Sequence, residues 1–147
     1  MFNFVEMKFK NTIKIVVLLI CISLSSCKIN QTRNALKQGK WIEKKQFINT
    51  QSSSEGRYKK GEKVGKWNYS INDRIVSQEK YKKNSCHIIK YHNTGKVQQI
   101  GHSKKTTVST KTEWLPSGKW IFYDSEGVLL GTKIYENGIP IQEIYEK

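Results

Sequence analysis

The sequence predicts an all-β chain, an elongated antiparallel meander of stacked β-hairpins, and three observations carry that expectation. The tripeptide Gly-Lys-Trp recurs at Gly39-Lys40-Trp41, Gly65-Lys66-Trp67 and Gly118-Lys119-Trp120, ahead of three of the four Trp in the chain. A motif that returns in this way marks a repeat architecture. Around it, apolar and polar residues alternate with a period of two, the pattern of a half-buried strand. Turn formers such as Asn72-Asp73, Asp124-Ser125-Glu126-Gly127 and Asn137-Gly138 separate the alternating runs. One hairpin alone buries too little surface to persist in water, so neighbouring hairpins must pair edge to edge. Their Trp and Tyr are then expected to form one continuous aromatic row.

The elements follow in order. Residues 28–38 are polar and unpatterned, which reads as a tether. The first unit opens at Gly39 and ends at Phe47, and Asn49 to Gly56, with three consecutive serines, reads as a loop. In the second unit Trp67, Tyr69 and Ile71 share one face and Lys66, Asn68 and Ser70 the other. A strand from Arg74 to Tyr81 follows the Asn72-Asp73 turn. The third unit is degenerate: Ile88, Ile89 and Tyr91 precede Asn93-Thr94-Gly95-Lys96, and Val97 stands where Trp is expected. Thr106, Val108, Thr110, Thr112 and Trp114 alternate with polar neighbours, so this Thr-rich stretch reads as a strand and not as a linker. Pro116-Ser117-Gly118 is expected to be a turn into the strand Lys119 to Tyr123, and Val128 to Tyr135 completes the fourth unit.

The first 26 residues read as an address. Lys8, Lys10 and Lys14 precede the apolar run Ile15 to Ile22, too short to cross a bilayer but of signal-peptide length. Met7-Lys8-Phe9-Lys10 opens a more conventional basic segment than Glu6 does, so both Met1 and Met7 stand as candidate starts. The run ends in Leu24-Ser25-Ser26-Cys27, which resembles the lipobox of bacterial lipoproteins. That resemblance implies a helical signal peptide over 1–26, acylation of Cys27, a lipidated tether over 27–38 and a repeat domain over 39–147. Lys28 follows the cysteine in place of the aspartate that commonly signals inner-membrane retention, so the resemblance implies the outer membrane, facing the periplasm. Two or three acyl chains hold a small domain on a membrane essentially permanently. Once Cys21 is cleaved off and Cys27 acylated, Cys86 has no cysteine to pair with, and no internal disulfide is expected.

Lys and Arg number 26 against 12 acidic residues, a formal charge of +14. Such an excess favours anionic partners, although scattered lysines also serve to keep exposed strand edges soluble. Chemistry is hard to find. The two aspartates, Asp73 and Asp124, sit in expected turns. His87 and His92 beside Cys86 match no established zinc spacing, and His102 stands apart. No nucleophile elbow or phosphate-cradling loop occurs. No catalytic residue, metal site or cofactor is therefore expected.

The grammar Tyr-x-x-Gly-x-x-x-Gly-Lys-Trp-x-Tyr, as in Tyr58 to Tyr69, resembles the MORN-repeat family over roughly residues 37–147, above all the variant in small exported bacterial proteins. The resemblance implies a scaffold or contact surface and not an activity. The expected function is a membrane-anchored, non-catalytic binding module for a protein partner. The alternatives are a charge-driven binder of anionic lipid or polysaccharide and an antitoxin-like neutraliser of a toxic partner. Trp41, Trp67 and Trp120 are the candidate binding residues, weighed against their use as the core of the repeats. Export to the envelope argues against nucleic acid.

Overall fold

The computed structural model describes residues 28–108 and 111–146, so the signal peptide and Cys27 lie outside the described residues. Ten strands follow one another: β1 (Gln31–Arg33), β2 (Leu36–Gln46), β3 (Gln51–Lys59), β4 (Glu62–Ile71), β5 (Arg74–Tyr81), β6 (Ser85–Tyr91), β7 (Val97–Val108), β8 (Lys111–Tyr123), β9 (Leu129–Glu136) and β10 (Ile139–Tyr145). They form one sheet in which each strand pairs antiparallel with the next, and no helix occurs among the described residues. The all-β meander is thus the fold.

Two-residue turns at Asn34-Ala35, Asn72-Asp73 and Asn137-Gly138 all have positive φ at both positions. That geometry matches the right-handed twist of the strands it joins, which is why Asn recurs there.

The second and third copies of the Gly-Lys-Trp motif each mark a bulge against the preceding strand. On β4 the pairing moves from Asn68 to Val64, four positions, while β3 moves only from Glu55 to Arg57. The same offset recurs between Ile121 and Ser117 of β8 and Ile100 and His102 of β7. Gly65 (φ 65°) and Gly118 (φ 69°) lie inside these bulges, where positive φ is required although a Cβ would meet nothing within 4 Å. Tyr81 and Tyr135 stand directly across from them, as Tyr58 stands across from Gly39.

The bulge swings each Trp onto a second glycine of the preceding strand. A Cβ at Gly56 would stand 2.2 Å from Trp67 Cδ2, and one at Gly101 2.0 Å from Trp120 Cδ2. The two rings are 1% and 6% exposed. Their Nε1–H groups donate to the carbonyls just beyond those glycines, Arg57 O at 3.2 Å and His102 O at 3.0 Å. Indole on bare backbone is the core of this single-layer sheet.

Several expectations need correction. The tether is partly structured: Gln31–Arg33 pairs with Leu36–Gln38, and the Asn30 amide bonds Ile42 in both directions. The serines read as a loop, Ser52 to Ser54, pair with Lys45 to Glu43, and the turn is confined to residues 47–50. Their hydroxyls disfavour nothing on a sheet with two solvated faces. The Thr-rich alternation belongs to two strands, because the chain reverses between Val108 and Lys111. Pro116 and Ser117 are strand residues paired with Ser103 and His102.

Val97 is not the counterpart of Trp: it pairs with Tyr91 beside the turn. Ile88, opposite Gly101 as Trp41 is opposite Gly56, takes the Trp position. Cys86 and Ser103, 1% and 3% exposed, then replace the Gly and Tyr. This unit has no bulge on β6 against β5, so it needs neither the positive-φ glycine nor the large ring. The aromatic row breaks at that place. Trp41, Tyr58, Trp67 and Tyr69 are in successive contact, whereas Tyr81–Trp114 and Trp120–Tyr135 form separate pairs.

Candidate functional site

The three candidate Trp have different surroundings. Trp67 and Trp120 are buried as described, their rings spent on packing. Trp41 is half-buried, since β1 is only three residues long. Its Nε1–H donates to Gln31 O and Gln38 O, both at 3.2 Å, and the Lys37 ammonium lies 4.4 Å from its ring centre. Lys37 also donates to Glu43 at 2.6 Å, which lowers the Glu43 carboxyl below its usual range.

The same face carries a polar network that sequence reasoning missed. Lys63 Nζ donates to Tyr69 Oη at 2.7 Å and lies 4.8 Å from the Trp67 ring centre. Tyr69 and Tyr81 both donate to Glu79 Oε2, at 2.6 and 2.7 Å. Burial, then the hydrogen bond to Glu79, pushes both phenols far above their ordinary range. They remain donors at any physiological pH, which fixes the carboxylate in place. Cys86 lies nearby, its thiol pushed up to about 11 by burial, then by the Glu79 charge. A thiol held neutral in this way is a packing group and not a nucleophile.

His87 and His102 face each other across β6 and β7, with Nδ1 of the first 3.2 Å from Nε2 of the second. Burial lowers the affinity of His87 for a proton, and the His102 ring lowers it further. No group of three or more His, Cys, Asp or Glu side chains able to hold a metal occurs among the described residues. A His whose folded pKa is depressed contributes stability that is complete above its unfolded value and is lost as pH falls below it. The unfolding midpoint in urea is therefore expected to fall between about pH 7.5 and about pH 5.5, and His87→Gln to flatten that slope.

The two edges of the sheet differ. β1 is short and carries Arg33, the ordinary protection of an open edge. β10 is exposed along all seven residues, Ile139-Pro140-Ile141-Gln142-Glu143-Ile144-Tyr145. It is the only one of the ten strands without a Lys or Arg, in a chain that has 26 of them. Ile139, Ile141, Ile144 and Tyr145 are all exposed large apolar side chains. Its outer backbone groups have no strand partner among the described residues.

No family model, no curated protein and no solved structure matches this chain. The functional reading rests on these surfaces.

Proposed function

We propose that the chain is a membrane-tethered β-repeat module that recruits a protein partner by adding one of the partner's strands to β10. The observation that supports this reading is a seven-residue edge strand without a cation, interrupted only by Pro140 and the pairing irregularity that follows it. A sheet normally guards its last strand with cations, brevity, proline or a bulge. Here the cations are spread over the sheet and withheld from the one long strand that ends it. Main-chain bonding along β10 would supply affinity, and Ile141, Ile144 and Tyr145 would supply side-chain selection. The module works without catalysis.

The anchor belongs to the same proposal. Acylation of Cys27 would hold the domain at the outer membrane facing the periplasm, and the Gly-Lys-Trp repeats would be MORN-like in use as in pattern. The ladder then serves as a spacer between the membrane and the docking edge.

A photo-crosslinking residue placed at Ile141, in cells, tests the edge. One discrete protein adduct is expected there, absent when the same residue is placed at the still more exposed Ile48, and lost on Ile144→Lys. Adducts of the same pattern at both positions would contradict the reading. Cys27→Ser tests the anchor: the protein is expected to leave the membrane fraction, and its persistence there would show that something other than acyl chains holds it.

A further inference from the structure

β7 and β8 are the longest strands, and their distal parts outrun both neighbours. β6 pairs with β7 only as far as Lys104, and β9 with β8 only from Gly118 onward. The overhanging arm leans back across the sheet. Lys105 Nζ meets Glu62 Oε1 at 2.5 Å, and Trp114 packs edge-on against Tyr81 with ring centres 5.2 Å apart. Beneath it the arm leaves a cleft of about 620 Å³ against the β3–β4 and β5–β6 turns. A second hollow of about 360 Å³ adjoins it, sharing Glu62, Lys63, Tyr81 and Trp114.

The lining is lopsided in charge. Lys59, Lys60, Lys63, Lys82 and Lys83 face the cleft against one carboxylate, Glu62, which Lys105 already neutralises. The ammonium groups of Lys59, Lys60, Lys82 and Lys83 have no ion-pair or hydrogen-bond partner among the described residues. Four unpaired cations gathered from two turns repel one another, a cost that a bound polyanion removes. Trp114 adds a half-buried indole of the kind on which the apolar face of a sugar ring lies.

We infer that this cleft binds a phosphorylated sugar, its phosphates on the turn lysines and its ring against Trp114. The volume suits one or two sugar rings. The site lies among the β3–β6 turns and not on β10, so it is independent of the docking edge.

Calorimetric titration of the full-length chain in neutral detergent with glucose 1,6-bisphosphate tests a free ligand. Flotation with phosphatidylcholine vesicles, with and without a lipid bearing a phosphorylated disaccharide headgroup, tests the same chemistry on a membrane; here the Cys27→Ser chain is used so that acyl insertion does not report. Saturable binding in either assay, weakened about tenfold or more by Lys82→Glu with Lys83→Glu and by Trp114→Ala, is the expected result. The lysine pair is exposed and unpartnered, so its reversal leaves the fold intact and serves where Trp114→Ala loosens the arm. No saturation in either assay, equal binding of inorganic sulfate at matched ionic strength, or indifference to the lysine reversal would overturn the assignment.

Discussion

A methyl group placed at Gly101 is expected to destabilise the fold strongly, although Gly→Ala is among the smallest of substitutions. The new Cβ would stand 2.0 Å from Trp120 Cδ2 and 2.3 Å from Cε2. Atoms do not approach so closely, and neither side can yield cheaply. The ring is 6% exposed, and its Nε1–H is committed to His102 O. The strand that would have to retreat is paired on both sides. Gly101→Ala should therefore cost about 3 kcal/mol, the upper end of ordinary overpacking. The urea midpoint should fall while the slope of the transition stays the same. Gly56→Ala is expected to behave alike, because its Cβ would lie 2.2 Å from Trp67.

Trp67→Ala is the second large effect, at about 3–5 kcal/mol. Its ring is almost wholly buried, and removing it also leaves Arg57 O without its donor. Trp120→Ala should match it. Trp41→Ala should cost roughly half as much or less, since that ring is only half covered and has less surface to lose. Thermal unfolding of the three variants side by side would show the ranking. Equal losses for all three would mean that the repeats, and not the seats beneath the rings, set the energetics.

These effects also show what could be read from the chain and what could not. Trp and Tyr announce themselves by recurring in register, and Asn72-Asp73 and Asn137-Gly138 announce their turns by composition. The ladder order follows from short connections alone. Glycine is harder. Gly65 and Gly118 are needed for their dihedrals, whereas Gly56 and Gly101 are needed for their missing side chains. Nothing local separates the two uses, and composition alone places Gly56 in a loop. Ile88 in the Trp position escapes a spacing rule that looks for an aromatic after a glycine, because this unit closes without the bulge that requires one. The Thr alternation indicated extended chain correctly at residues 106–108 and 111–114 but could not show the reversal between them, and Thr110 lies outside the described residues. The cleft was the least legible feature. Its residues come from positions 59–64, 81–83 and 114, and only the tilt of the arm brings them together.

The cation-free edge of β10 is legible in the sequence. In a chain with so many lysines, a final alternating stretch without one is a signal in itself. Overall charge obscured it, because the +14 directs attention to where cations are and not to where they are missing.

The account rests on indole rings seated on backbone that has no side chain, and a double-mutant cycle on one such seat tests it most directly. Gly56→Ala is measured by urea denaturation in the wild-type chain and again in Trp67→Leu, where the clashing ring is gone. The account predicts that the methyl group costs at least about 1 kcal/mol less in the second background, a coupling expected only of groups in contact. Costs that add to within about 0.5 kcal/mol would contradict it, since the glycine and the ring would then matter for unrelated reasons.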